Sequence, residues 1–209
     1  MKKIGIIVFL VLLIDQVTKF YIKTHFEYGE PFEIFSWFQL KFVENPGMAY
    51  GAEFGGLTGK MLLSVLRIFL IGWIGWVIWK YLNIYNNNYF KFAAAFVFAG
   101  AVGNLIDSLF YGVIFDKGLT WNEELQMWND YPGIAQANFQ GYSGFLKGCV
   151  VDMFYFPLFE FKWPEWIPGI GGKDFEFFSY IFNVADSSIT IGGAMLLFLR
   201  RKIFRPEKG

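Results

Sequence analysis

The chain has 209 residues, of which 55% are hydrophobic, 22% aromatic and only 17% charged. That balance excludes an ordinary soluble domain and reads as a membrane protein, and a formal net charge of zero leaves no electrostatic footprint for nucleic acid. The single cysteine, Cys149, excludes an intrachain disulfide, and the single histidine, His25, with no HExxH pattern, leaves little from which to build a His/Cys zinc site.

A bilayer core needs about 20 apolar helical residues. The first such run, 4–22, follows Lys2 and Lys3 like a signal peptide, but no small-residue cleavage site comes after it and "DQVTKFYIK" continues in helical register. It reads as a retained membrane helix. Next comes "EPFEIFSWFQLKFVENPGMAYG", whose "QLKFVE" portion alternates apolar and polar residues. This predicts strands on the membrane surface, ended by Asn45-Pro46-Gly47. The second and third spans, 59–81 and 90–111, are joined by a short loop flanked by Lys80 and Lys91.

Beyond them, "NEELQMWNDYPGIAQANFQGYSGF" is polar and Gly-rich, and predicts a surface insertion with a short helix at most. "GCVVDMFYFPLFEFKW" predicts a strand with aromatic neighbours, and 180–199 is the fourth span, followed by Arg200, Arg201, Lys202, Arg205 and Lys208. The excess of basic residues on one side puts both termini in the cytoplasm and 23–58 and 112–179 outside. The expected fold is a single α-helical membrane domain over 1–209, with four transmembrane helices, a small extracytoplasmic β-sheet and a surface loop or short helix.

Polar residues inside these spans stand out. Asp15 and Lys19 are four apart in favourable order for an ion pair. They form either a structural pair with Lys19 snorkelling or one wall of a polar site. Gly100, Asn104, Asp107 and Tyr111 make one stripe of the third span among Ala93, Ala94, Ala95, Ala99, Ala101 and Gly103, residues small enough for close helix approach. Asn183, Asp186, Ser187 and Thr190 share a face of the fourth. A helix starting near Ser179 puts Asp186 about two turns in, too deep for a cap. Ionisable groups in spans usually face a functional cavity. Asp152 lies on a predicted strand and gains meaning only if something faces it.

Nucleophilic chemistry has little support. Gly141-Tyr142-Ser143-Gly144 matches the GxSG of rhomboid-type serine proteases, but it lies in a polar loop with no visible link to His25. Cys149 lacks a base, and presenilin-type GxGD, Walker A and strand-linked GxGxxG patterns are absent. Carboxylates remain. Two aspartates brought together can share one proton, one taking a proton from water while the other polarises a carbonyl, with no metal required. A small proton-coupled transporter or channel subunit, with Asp15, Asp107 and Asp186 as a relay, is the rival. It leaves Asp152 and the aromatic sheet unexplained.

Five motifs in order, "DQVTK" at 15–19, "ENPGMAYG" at 44–51, "AGAVGNLID" at 99–107, "GCVVDMF" at 148–154 and "FNVADSS" at 182–188, make the chain resemble the lipoprotein signal peptidases (signal peptidase II). The resemblance implies an intramembrane aspartic endopeptidase of the bacterial inner membrane. Such an enzyme cuts diacylglyceryl-modified prolipoproteins before the lipidated cysteine, near the outer face, without metal or cofactor. The implied partners are those substrates and membrane lipids, with the chain acting as a monomer.

The resemblance places the catalytic pair on Asp152 and Asp186, and substrate-binding or supporting roles on Asp15, Lys19, Asn45, Gly47, Asn104, Asp107 and Asn183. It implies a strand cradle on the membrane and a loop that closes over the substrate. Two departures stand out. Many members have Arg directly after the third-motif aspartate, where this chain has Ser108; Arg67, costly inside the second span, is expected to supply that charge instead. The stretches around 116–147 and 157–178 are also longer than in compact members, as lids or partner contacts.

Overall fold

The computed structural model describes residues 2–47, 55–82, 84–85 and 87–204. Met48, Ala49, Tyr50 and Gly51 of the second motif, and Arg205 and Lys208 of the basic tail, lie outside the described residues.

Among the described residues three helices are long and apolar enough to cross a membrane: α1 (Lys2–His25), α2 (Gly56–Leu82), and α3 (Asn88–Ile106) with its continuation to Ile114. Each is the apolar run seen in the sequence, extended by a few polar residues. Asn87 caps α3 by accepting from the Phe90 N–H, satisfying one of the free donors at that end. Large apolar side chains such as Phe9, Phe69, Leu70 and Trp79 stay exposed on the outward faces, as lipid contact requires.

α3 does not end as a plain helix. A π-helical turn, Asp107–Tyr111, and a short α4 (Gly112–Ile114) follow it. Such bulges recur at functional sites because they rotate side chains off the 3.6-residue stripe. Here the turn buries Asp107, Ser108 and Tyr111 together.

The fourth apolar segment differs from the expected 180–199. α5 spans Val184–Phe198, 15 residues, and a short α6 (Arg200–Ile203) follows. The physical reason is backbone pairing. Phe182 bridges to Phe154, and its N–H and C=O bond back to Phe154, so the chain is extended until Asn183. α5 packs closely on α3. A Cβ on Gly100 would come within 2.3 Å of the Ala185 carbonyl oxygen, and one on Gly192 within 2.8 Å of the Ala93 carbonyl. Only glycine permits this spacing.

At one end of the bundle lies a three-stranded antiparallel sheet of order β1-β2-β5: β1 (Pro31–Phe35), β2 (Phe38–Asn45) and β5 (Val150–Tyr155). The alternating "QLKFVE" is the core of β2. Register runs Leu40↔Phe154 and then Val43↔Asp152, so β2 carries one extra residue beside Asp152. A bulge at that point re-aims neighbouring side chains. Phe42 and Met153, fully buried, meet Ile22, Tyr111 and Phe115 in a core that fastens the sheet to the ends of α1 and α3.

The two insertions are strand hairpins. In the first, β3 (Thr120–Asn122) pairs with β4 (Met127–Asn129), where the sequence allowed a short helix. "GCVVDMFYFPLFEFKW", expected as one strand, is broken at Pro157. Its second half, β6 (Phe159–Lys162), pairs with β7 (Asp174–Phe177) in a separate two-stranded sheet.

Candidate active site

Where β5 meets the ends of α1, α3 and α5, the polar residues singled out in the sequence converge. Lys19 is fully buried rather than snorkelling. Its ammonium lies 3.1 Å from Asp15 and 2.8 Å from Asp107, and donates to Asn104 Oδ1 at 2.8 Å. Asp15 Oδ1 accepts from the Ala185 N–H at 2.8 Å, tying α1 to the first turn of α5. Asp107 Oδ2 accepts from the Val151 N–H at 3.3 Å, tying α3 to β5. Four elements, α1, α3, α5 and β5, are thus held by one buried cation and two carboxylates.

Asn183 is the hinge of the group. Its Nδ2 donates to Asp152 Oδ1 at 2.6 Å, while its Oδ1 accepts from the Asp186 N–H at 2.8 Å. Asp186 Oδ2 accepts in return from the Asn183 N–H at 3.3 Å, which completes a capping box at the start of α5. The expectation that Asp186 lies too deep to cap is therefore corrected: with the helix starting at Val184, it occupies the third helical position. Capping uses only part of the carboxylate. Asp186 Oδ1 also accepts from Asn104 Nδ2 at 2.8 Å. Asn183 and Asn104 so connect Asp152 on the sheet, Asp186 on α5 and Lys19 on α1.

Asp152 is 4% exposed. Burial first, and then the charge of Asp186, push its pKa well above the usual carboxylate range, against the pull of Lys19 and the Asn183 hydrogen bond. An acid in that position holds its proton at a pH where ordinary carboxylates have lost theirs. Two aspartates with unequal environments, joined by amides, can act as an acid and a base on one water.

Asn45 ends β2, and Gly47 follows two residues on. Asn45 pairs with Val150, two residues from Asp152, and its Oδ1 accepts from the Gly47 N–H at 2.8 Å. Gly47 has φ +115, a backbone that side-chain-bearing residues avoid, and a Cβ there would sit 2.8 Å from Leu63 of α2.

Other features correct or extend the sequence reading. Ser143 donates to the Lys147 carbonyl, while the His25 ring stacks on Tyr21, so the hydrogen bonds of the GxSG serine among the described residues do not include the histidine. The Cys149 thiol is pushed up to about 12 by burial and by Glu44, which removes it as a thiolate nucleophile. Arg67 Nη1 donates to Ser108 Oγ at 2.7 Å, meeting the position where the arginine was missing.

Sequence reasoning passed over Gln16, which donates to Asp15 Oδ2 at 3.0 Å and Asp107 Oδ1 at 2.9 Å; its place inside "DQVTK" was the available signal. It also missed a buried ion pair of Lys23 with Glu44, residues that look solvent-exposed in sequence. Glu44 further accepts from the Tyr131 hydroxyl at 2.9 Å and the Leu119 N–H at 2.8 Å. The first insertion therefore clamps the end of β2. Finally, Lys60, 1% exposed near the start of α2, has no hydrogen-bond partner for its ammonium among the described residues.

Apolar helices long enough to cross a bilayer, closed at one end by a sheet over a buried carboxylate cluster, define a polytopic membrane protein with an enzyme-like polar centre. The family described as Signal peptidase (SPase) II matches residues 7–201. A lipoprotein signal peptidase of Porphyromonas gingivalis is 40% identical over 199 residues, 94% of this chain and 81% of that protein. One of Amoebophilus asiaticus is 30% identical over 199 residues, covering 93% and 76%. The fold is similar to a bacterial membrane enzyme structure determined by the in meso method at 1.9 Å resolution, with TM-score 0.60 and 24% identity over 97% of this chain and 94% of that one. The chain belongs to the signal peptidase II family and is a membrane peptidase. That membership decides against the transporter reading.

Proposed function

We propose that this peptidase is an aspartic endopeptidase that removes signal peptides from diacylglyceryl-modified prolipoproteins, cutting before the lipidated cysteine. The lipoprotein substrate class rests on the relatives, which are lipoprotein signal peptidases. The aspartic chemistry rests on one observation above all: Asn183 donates to both carboxylates, from its side-chain Nδ2 to Asp152 and from its backbone N–H to Asp186.

The steps follow from placement. Asp186 sits in the first turn of α5, where free N–H groups and the helix dipole favour negative charge. It is the member placed to take a proton from water. Asp152, buried and holding its proton, is placed to polarise the scissile carbonyl and protonate the leaving amine. Asn183 and Asn104 fix the rotamers of both. Lys19, Asp15, Asp107 and Gln16 hold α1, α3, α5 and β5 in register beneath them. Asn45 and Gly47 lie at the end of β2, beside the start of β5, and suit substrate backbone binding.

The reading carries an orientation. Four spans, with α5 and α6 together as the last, put both termini in the cytoplasm and the sheet with its aspartates at the outer face of the inner membrane. The substrate helix enters from the bilayer with its lipid chains still in it. Incubating the purified enzyme with a lipidated precursor, an unlipidated precursor and a precursor lacking the cysteine tests the substrate class. Only the first is expected to be cut, and equal cleavage of the unlipidated form rejects it.

A further inference from the structure

The β6–β7 hairpin carries an aromatic face that stays largely exposed among the described residues. Register pairs Phe159 with Phe177 and Phe161 with Phe175, so strand alternation puts these four phenylalanines on one side. They form a continuous aromatic layer. Phe159 and Phe177 stack at 4.6 Å, Phe161 and Phe175 lie 4.9 Å apart, and Trp163 extends the layer at 4.9 Å from Phe161. Lys162, Asp174 and Glu176 belong to the other side. Lys162 pairs with Asp174 in water, both side chains more than 70% exposed, and Glu176 accepts from the Tyr155 hydroxyl of β5.

Two strands alone are marginal in water, and an exposed aromatic layer marks an interaction surface. Phe159, Phe161 and Phe177 are exposed, and Trp166 at the bend is 80% exposed. Rings of this kind settle at the boundary between headgroups and acyl chains. The bilayer is also where the chain goes next: Phe178 and Tyr180, both exposed, lead within seven residues of Phe177 into apolar α5. The hairpin holds four acidic residues and two lysines between 159 and 177, so attraction to anionic headgroups is not the source of affinity.

We propose that the β6–β7 hairpin is an interfacial anchor whose aromatic face lies in the membrane leaflet on the sheet side, holding the hairpin and, through Tyr155–Glu176, strand β5 at a set depth. The test uses the full chain with Cys149→Ser, in nanodiscs of phosphatidylcholine, carrying a nitroxide at Phe161→Cys or Lys162→Cys. The label at 161 is expected to collide with dissolved oxygen more than with a water-soluble nickel complex, and the label at 162 to show the reverse. Adding phosphatidylglycerol is expected to leave both readings unchanged. Trp166→Cys reads the same depth at the bend, with the strands untouched, and is expected to be oxygen-favoured.

Nickel-favoured readings at both 161 and 166 overturn the proposal. So does shielding of 161 from both reagents, which would mean that protein covers the face. A depth that appears only with phosphatidylglycerol overturns the aromatic basis. None of these readings depends on cleavage activity, so they stand apart from the outcome for the peptidase chemistry.

Discussion

Arg67 on α2 donates from Nη1 to Ser108 Oγ across 2.7 Å, and Ser108 donates on to the Asn104 carbonyl at 3.0 Å. A cation from one helix thus docks on the small residue that follows Asp107 on another. Its charge acts on Asp107, Asp186 and Asp152. Arg67→Leu is expected to lower kcat/KM roughly 10- to 100-fold through lost positioning. The pH profile is informative as well. Removing a neighbouring cation favours the protonated form of an acid, so the limb of the profile that Asp152 governs moves to higher pH. Adding Ser108→Arg to Arg67→Leu is expected to recover much of the loss. An unchanged profile in Arg67→Leu would show that the contact is structural only.

Lys19 neutralises two buried carboxylates and has no solvent to share the task. Lys19→Met leaves Asp15 and Asp107 facing each other without a cation, a change that costs about 3–5 kcal/mol. Thermal unfolding in detergent is expected to fall sharply. The triple variant with Asp15→Asn and Asp107→Asn is expected to unfold at a higher temperature than Lys19→Met alone. If the triple is no better, the defect is not charge burial.

Lys60 is the opposite case. Its buried ammonium has no acceptor among the described residues. An unsatisfied buried donor costs about 1–3 kcal/mol, and methionine fills similar space without one. Lys60→Met is expected to raise the unfolding temperature of the isolated enzyme. A fall would show that the amine is satisfied in solution.

Much of this was legible before any coordinates. The three long helices follow from apolar runs, β2 from the alternation in "QLKFVE", and the carboxylates draw notice because spans rarely hold them. The misreadings have physical causes. Tyr180 to Phe182 are as apolar as the helix after them, so hydropathy cannot show that Phe182 pairs with Phe154 instead. That pairing turns Asp186 from a deep span residue into a first-turn one. The hairpin pairing of β6 with β7, and of Lys23 with Glu44, joins residues well separated in sequence across loops whose closure sequence periodicity does not encode.

In the proposed mechanism Asp152 links catalysis to stability. Its raised pKa means that the folded chain holds a proton that the unfolded chain releases above the ordinary carboxylate range. The folded state therefore binds more protons in that window, and stability falls as pH rises through it. Asp152→Asn removes the titration while keeping an oxygen for Asn183. It is expected to raise the unfolding temperature at neutral pH, with the gain shrinking toward pH 4. A gain that does not vary with pH would contradict the buried-acid reading.

The central claim is that Asp152 and Asp186 together activate water. The most direct measurement is cleavage of a purified lipidated precursor by Asp152→Asn and Asp186→Asn enzymes that remain folded in the membrane. Each is expected to lose at least about a thousandfold in rate, as loss of an essential acid or base requires, and the double variant is expected to be little worse than either single one. Cleavage at the normal rate by either single variant would contradict the account.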